Sequence, residues 1–158
     1  MNKPFDKNLL LKLALNQLED QRTLLMTSAL EAKAASTHEE AKAENKYDTR
    51  GLEASYLAAG QSRRVKELEE SIFILKKIKP KTFSKDDPIG LTAMVLLSFE
   101  DADKWIFLIP ASGMAIQLDS TKVQTMSLSS PIGQLLLEAV VGDTIELNGR
   151  EYDILDIQ

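Results

Sequence analysis

Apolar residues in the first part of the chain recur at alternating steps of three and four, the spacing of one face of a coiled-coil helix. The first run follows Asp6, a suitable helix N-cap, and extends to about Glu44, which predicts a long helix over residues 6–44. Six of its eight core positions are apolar, and the side chains become smaller along the run. The eight positions are Leu11, Leu15, Leu18, Arg22, Leu25, Ala29, Ala32 and Ser36.

A second run with this spacing predicts a helix from about Gly51 to Ile78, and its core side chains become larger along the chain. Opposite size gradients match when two helices run antiparallel, because small residues then meet near the turn and large ones at the base. We therefore predict a helical hairpin with a polar tip at residues 44–53. The core positions of the second helix are Ala54, Ala58, Gln61, Val65, Leu68, Ile72 and Leu75.

The pattern changes after residues 80–90, which contain two prolines, a glycine and many charges and are typical of a linker. After this segment, a short helix is expected at residues 129–138, capped by Ser129 or Ser130 and with Pro131 in its first turn. Further along the chain, the pair Asn148-Gly149 predicts a tight β-hairpin turn. Short apolar runs predict strands at 91–99, 105–109, 114–118, 144–147 and 152–157. The fold class is therefore α+β: an N-terminal antiparallel helical hairpin followed by a small antiparallel sheet domain with one short helix.

The domain organisation follows from these patterns. Residues 1–79 contain two glycines and one proline and form the predicted hairpin domain, residues 80–90 form the linker, and residues 91–158 form the sheet domain. Charge divides in the same place, since residues 1–79 carry 14 Lys+Arg and 12 Asp+Glu, whereas residues 80–158 carry 5 and 12.

Composition narrows the range of partners. A domain that binds naked duplex usually carries a concentrated basic excess, whereas this chain is mixed in its first half and acidic in its second. A protein surface or an assembled protein–nucleic-acid complex is the better fit. The chain has no cysteine, and no apolar run approaches the roughly 20 residues of a membrane helix, so we expect a cytoplasmic protein without a membrane partner.

Few side chains suggest independent chemistry. His38 is the only histidine and lacks a second histidine at metal-binding spacing, so no metal site of its own is expected. Arg63, Arg64 and Lys66 form a basic cluster on the second helix. They either contact RNA or an acidic partner surface, or pair along the helix with neighbouring glutamates.

Four motifs stand out along the chain: Ala54-Ser55-Tyr56-Leu57-Ala58-Ala59 in the second helix, Ser130-Pro131-Ile132-Gly133, Gly142-Asp143 with the following strand, and Glu151-Tyr152-Asp153-Ile154. Together they resemble the motifs of the Gre-type transcript cleavage factors. The resemblance implies an FKBP-like C-terminal domain that docks at the rim of the secondary channel of RNA polymerase. It places docking near residues 130–138, with Ser130, Pro131, Ile132 and Gly133 as the candidates.

The same resemblance implies that the hairpin enters the channel and that two tip carboxylates help to hold a Mg²⁺ ion at the polymerase active site, where backtracked RNA is cut. Nascent RNA and DNA are then met only within the elongation complex. The protein needs no cofactor of its own and is not itself an enzyme.

This sequence departs from the family pattern at the tip. The positions seven and four before Tyr56, which are acidic in the family, hold Thr49 and Leu52. The nearby acids are Asp48, Glu53 and Glu44. Either Asp48 and Glu53 replace the family pair, or the chain occupies the channel as a regulator or inhibitor that does not stimulate cleavage. Both acids also suit ordinary roles at the start of a helix.

Two other classes of function stay open. An FKBP-like prolyl isomerase needs an apolar, aromatic-lined pocket, for which the second domain offers Trp105, Phe99, Phe107 and Tyr152. An adaptor whose hairpin dimerises is the other class. Because the two predicted seams complement each other within one chain, we expect a monomer.

Overall fold

The computed structural model describes residues 3–37 and 50–158. By proximity of its Cα atoms the chain divides into two compact units, one formed by Met1–Leu15 with Ile74–Gln158 and the other by Asn16–Phe73. Proximity does not establish which segments fold independently, so the boundaries 1–79, 80–90 and 91–158 stay a prediction.

Two long helices account for the first part of the chain, α1 at Lys7–Thr37 and α2 at Arg50–Lys77. Asp6 caps α1 as predicted, since its Oδ1 accepts a hydrogen bond from the backbone N–H of Leu9 at 3.0 Å. The predicted continuation of α1 to Glu44 lies outside the described residues. Helix α2 carries Lys76 and Lys77 in its last turn, where cations interact favourably with the helix dipole.

Burial follows the predicted spacing in the unit formed by Asn16–Phe73, where the buried apolar side chains among the described residues are Leu18, Ala29, Leu68 and Ile72. At the start of α1 the prediction was incomplete, because Leu10 and Ala14 are fully buried although they lie outside the predicted core positions. The polar core positions Arg22 and Gln61 each hold one buried atom, Nε and Oε1, with no hydrogen-bond partner. Leaving such a group unpaired costs about 1–3 kcal/mol. Pairing of the two helices as a coiled coil stays a prediction.

The rest of the chain confirms the α+β class. Six strands form one sheet in the order β3-β4-β2-β1-β6-β5, with one short helix between β4 and β5. The elements are β1 at Met94–Phe99, β2 at Ala102–Leu108, β3 at Ala115–Leu118, β4 at Thr121–Met126, α3 at Pro131–Leu136, β5 at Thr144–Leu147 and β6 at Arg150–Ile157.

Strand β4 has no counterpart among the predicted strands, and it makes the sheet mixed. It pairs parallel with β2 and antiparallel with β3, whereas the sequence predicted antiparallel pairs throughout. The sequence did not predict β4 because most of its residues are polar. Burial nevertheless alternates along the strand: Val123 and Thr125 are buried, and Lys122 and Gln124 are exposed. The Thr125 hydroxyl accepts a hydrogen bond from the backbone N–H of Met114 at 3.1 Å, which makes its burial acceptable.

The predicted hairpin turn at Asn148-Gly149 is confirmed. Both residues have positive φ, 54° and 74°, and Leu147 pairs with Arg150 across the turn. These angles define the type I′ geometry that follows the twist of a two-residue hairpin. The turn fixes the register in which β6 begins.

The two faces of the sheet pack against different parts of the same compact unit. On one face, Leu136 of α3 joins a core with Val95, Leu97, Ile106 and Ile154. On the opposite face, the Trp105 ring meets the edge of the Phe5 ring, with 4.8 Å between the ring centroids.

Residues 80–90 are attached to the sheet at several points. Ile89 is buried, and its backbone N–H donates to the carbonyl oxygen of Ala139 at 2.8 Å. Phe83 packs against the same core, and the backbone N–H of Lys81 donates to the hydroxyl of Thr92 at 2.9 Å. This segment therefore contributes side chains to the core of the sheet.

Candidate docking cleft

The first turn of α3 is held by a serine cap. Ser130 has extended backbone angles (φ −70°, ψ 156°), and its Oγ accepts a hydrogen bond from the backbone N–H of Gly133 at 3.1 Å. The same hydroxyl donates to the carbonyl oxygen of Ser127 at 2.6 Å. Pro131 follows at the first helical position, where its missing N–H costs little. Of the two predicted caps, the structure selects Ser130.

Gly133 leaves no room for a side chain. A Cβ atom there would overlap the carbonyl oxygen of Ser127 and lie 2.9 Å from the Cα of Leu128. The helix therefore approaches the preceding loop more closely than any other residue would allow. Ser130 and Gly133 together fix where α3 starts, and so where Ile132 lies.

Ile132 forms one wall of an apolar cleft of about 290 Å³. The floor is the sheet face that carries Leu97 and Ile106, and strand β4 contributes Met126. The remaining lining residues come from four strands, β1, β2, β4 and β6: Phe99, Ala102, Lys104, Gln124, Arg150 and Tyr152. Ile132, Met126 and Tyr152 are only partly buried, so the cleft exposes apolar surface beside the core.

An aromatic pair and a cation mark one end of the cleft. The rings of Phe99 and Tyr152 are 5.1 Å apart between centroids and inclined by 31°. The guanidinium carbon of Arg150 lies 5.5 Å from the Phe99 centroid, within the range of a cation–π interaction. This arrangement holds a positive group at the edge of an apolar surface.

The charge of the cleft contrasts with the charge of the domain around it. Residues 80–158 carry five Lys+Arg against twelve Asp+Glu, and two of those five cations, Lys104 and Arg150, line the cleft. Both side chains are exposed. The cleft can therefore receive an apolar segment that carries acidic residues beside it.

The four aromatic residues considered for a proline pocket are divided between the two faces of the sheet. Trp105 and Phe107 are buried. Trp105 meets Phe5, and only Phe99 and Tyr152 line the cleft. Sequence reasoning did not assign Lys104 or Arg150 to a site. The signal for Arg150 was its position directly after the Asn148-Gly149 turn, at the start of β6.

The predicted tip residues are not brought together by any described geometry. Glu44 and Asp48 lie outside the described residues, and Glu53 lies on α2 with its side chain outside the description. The assignment of Asp48, Glu53 or Glu44 as Mg²⁺ ligands within a polymerase complex therefore stays a prediction. Among the residues that are described, no group of three or more His, Cys, Asp or Glu side chains could hold a metal ion.

The basic cluster on α2 is exposed. Arg64 forms an ion pair with Glu67, with 3.1 Å between Nη1 and Oε2, and both side chains are more than half exposed. Arg63 and Lys66 form no ion pair with any residue in the described part of the chain. Helical pairing thus explains one of the three cations.

Within 3–37 and 50–158, no helix combines the length and the apolar content needed to span a bilayer.

The chain thus combines two long helices with an α+β domain that exposes an apolar cleft edged by two cations. No protein-family profile and no curated protein matches the chain. Among solved structures, GreA factor homolog 1 (Gfh1) of Thermus thermophilus is similar at 25% identity over 91% of this chain and 94% of that chain, with a TM-score of 0.36. Gfh1 of Thermus aquaticus is similar at 23% identity over 90% and 89%, with a TM-score of 0.35.

A further structure, described as the transcription factor Gfh1, is similar at 25% identity over 92% of this chain and 94% of that chain. These proteins are homologues of GreA, the group that the sequence motifs resemble. TM-scores of 0.35 to 0.36 do not by themselves establish a shared fold or a shared activity.

Proposed function

We propose that this protein is a Gre-like transcription elongation regulator that binds RNA polymerase through its secondary channel. One observation carries the proposal: the motif Ser130-Pro131-Ile132-Gly133, which resembles the Gre-type factors, starts helix α3 and places Ile132 in the wall of the apolar cleft. In this proposal the protein acts as a cytoplasmic monomer without catalytic residues of its own. It meets nascent RNA and DNA only inside the elongation complex.

The chemistry of the cleft specifies the kind of polymerase surface that would dock. Ile132, Met126 and Tyr152 offer partly exposed apolar surface, whose burial is worth about 25 cal/mol per Å². Lys104 and Arg150 favour acidic residues at the edge of the partner segment. The proposed docking partner is therefore a polymerase segment with apolar residues flanked by aspartate or glutamate.

Charge reversal at the cleft tests docking. Arg150→Glu is expected to weaken binding to core polymerase about tenfold or more, because it opposes an acidic partner and removes the cation beside Phe99. Lys122→Glu makes the same charge change at an exposed lysine outside the cleft and is expected to alter binding by less than about twofold. Binding is measured by fluorescence anisotropy of labelled protein, and thermal unfolding shows that both variants are folded.

Two results would count against the proposal in different ways. Wild-type protein that does not bind core polymerase at micromolar concentration would remove the function itself. Equal loss of affinity in Arg150→Glu and Lys122→Glu would leave the function but remove the cleft as its docking site.

Within this function, two activities differ in the role of the tip. In the first, Asp48 and Glu53 supply carboxylate oxygens to a Mg²⁺ ion at the polymerase active site and so stimulate cleavage of backtracked RNA. In the second, the protein occupies the channel and inhibits or modulates synthesis without stimulating cleavage. Stalled, backtracked complexes distinguish them when wild type is compared with Asp48→Ala, Glu53→Ala and Glu44→Ala.

Cleavage that is lost in the Asp48 and Glu53 variants, with binding retained, supports the first activity. Binding without cleavage supports the second. Loss in Glu44→Ala alone would assign the metal ligand to Glu44 instead.

A prolyl isomerase is the alternative that one observation favours, because Phe99 and Tyr152 place two aromatic rings at an apolar cleft. A proline peptide assay tests it. Catalysis above the uncatalysed rate that is lost in Tyr152→Leu would support this alternative, and a rate equal to background would remove it.

A further inference from the structure

A second cavity lies where the residues before α1 meet residues 80–83. It has a volume of about 350 Å³, which suits a small molecule. Its apolar lining comes from two prolines and two phenylalanines, Pro4, Phe5, Pro80 and Phe83. It lies apart from the cleft, because the two share no lining residue.

Lys7 brings a positive charge into this apolar cavity. Only 8% of the residue is exposed. The Nζ donates one hydrogen bond, at 2.6 Å to the carbonyl oxygen of Lys81, and lies 4.8 Å from the centroid of the Phe83 ring. An ammonium has three donors, and in the described part of the chain no carboxylate lies within ion-pair distance of Lys7.

Burial of a cation without a carboxylate is unfavourable, and the ionisation of Lys7 reflects this. Desolvation lowers the pKa of its ammonium from 10.5 to about 8. At neutral pH the group still carries its charge for most of the time. An anion placed beside it would recover part of the lost solvation.

The neighbouring groups specify the charge of that anion. The charged residues that line the cavity are Lys7, Lys81 and Asp6, with a net charge of +1. The Oδ1 of Asp6 already accepts a hydrogen bond from the backbone N–H of Leu9, so this carboxylate serves as the helix cap. A ligand with a single negative charge balances this set, whereas a phosphate would carry more charge beside Asp6.

Gln158 provides a second donor. Its Oε1 accepts a hydrogen bond from the backbone N–H of Phe5 at 2.9 Å, so its amide nitrogen faces elsewhere. That nitrogen makes no hydrogen bond to the described residues, and Gln158 lines the same cavity. A carboxylate has two oxygens, one for the Lys7 ammonium and one for this amide.

We propose that the cavity beside Lys7 binds a small monocarboxylate whose apolar body is about the size of an aromatic ring. The carboxylate accepts hydrogen bonds from Lys7 and Gln158, and the apolar body packs between Phe5, Pro80 and Phe83. A ligand bound there would stabilise the folded protein by mass action.

Benzoate is the probe, and benzamide is its neutral counterpart of nearly the same shape. Titration of the full-length protein, followed by amide chemical shifts, is expected to move resonances of residues 5–8, 81–83 and 158. Benzoate is expected to bind about tenfold or more tightly than benzamide, because charge-assisted hydrogen bonds are roughly twice as strong as neutral ones. The pKa of Lys7, followed through its side-chain Cε resonance, is expected to rise when benzoate binds.

Lys7→Met is expected to reduce benzoate affinity to that of benzamide, whereas Lys12→Met, at an exposed position of α1, is expected to leave it unchanged. Equal binding of benzoate and benzamide by wild type, or shifts confined to other residues, would overturn the proposal. So would undiminished benzoate binding by Lys7→Met. If Lys7→Met does not fold, the comparison of the two ligands on wild type still decides.

Discussion

The carbonyl oxygen of Ser127 occupies the space that a Cβ atom on Gly133 would need. This contact sets the distance between α3 and the loop before it, and the Ser130 hydroxyl bridges the two by accepting from Gly133 and donating to Ser127. The cleft wall at Ile132 depends on both. In this chain, the motif Ser130-Pro131-Ile132-Gly133 that resembles the Gre-type factors therefore positions helix α3.

Gly133→Ala is expected to destabilise the protein by about 2 kcal/mol or more, because the new methyl group must displace backbone atoms. Gly60→Ala is the matched control, since a Cβ atom at Gly60 meets nothing within 4 Å and the residue lies inside α2. That control is expected to gain about 0.5–1 kcal/mol from helix propensity. Urea unfolding measures both. Equal stability of the two variants would show that α3 can move away from Ser127.

Ser130→Ala is expected to cost about 1 kcal/mol, because the backbone N–H of Gly133 and the carbonyl of Ser127 both lose the hydroxyl as a partner. Ser129→Ala removes a neighbouring hydroxyl that bonds only to the side chain of Ser127, at 2.8 Å. That control is expected to cost less than about 0.5 kcal/mol, as is usual for exposed substitutions. Denaturant unfolding compares the stability of the two variants. A larger loss of stability in Ser129→Ala would show that Ser129, and not Ser130, caps the helix.

Local signals were sufficient for the ends of several elements. Asp6 caps α1, Pro131 opens α3, and Asn148-Gly149 turns the last hairpin, each where the sequence predicts it. In each case a residue's own backbone preference or a hydrogen bond within three residues decides the geometry. Such features need no knowledge of the rest of the chain.

Pairing between distant strands was not accessible in this way. Strand β4 lies parallel to β2 because β3 and β4 form a hairpin that packs at the β2 edge of the sheet. The sequence of β4 gives little sign of this, since it contains only two strongly apolar residues, Val123 and Met126. The cleft has the same origin. Phe99 meets Tyr152 and Arg150 because β1 and β6 are neighbours in the sheet, although some fifty residues separate them in sequence.

The buried ammonium of Lys7 predicts a pH dependence of stability. Its pKa is about 8 in the folded protein and 10.5 as the ordinary value, so between these pH values the unfolded chain binds more protons. Stability from this group therefore rises with pH from about 8 to 10.5, and the cost of burying the charge is fully present below pH 8. Relative to Lys7→Met, wild type is expected to gain on the order of 2 kcal/mol across this range.

Urea unfolding at pH 7, 9 and 10.5 measures that difference. Lys12→Met provides the control, because the exposed Lys12 should contribute no such change. A stability difference between wild type and Lys7→Met that stays constant with pH would show that the Lys7 ammonium is solvated in the folded protein.

The exposed cations of α2 predict a salt-dependent contribution to binding. Arg63 and Lys66 form no ion pair in the described part of the chain, so the double variant Arg63→Gln with Lys66→Gln should leave stability nearly unchanged. If these cations contact RNA or an acidic channel wall, affinity for an elongation complex falls and its salt dependence weakens by a slope of about 1–2.

The double variant Arg64→Gln with Glu67→Gln removes the 3.1 Å ion pair without changing the net charge, and it is expected to keep the wild-type slope. Titrations at several salt concentrations compare the two. Identical slopes in both double variants would assign Arg63 and Lys66 to an exposed helix face that no partner contacts.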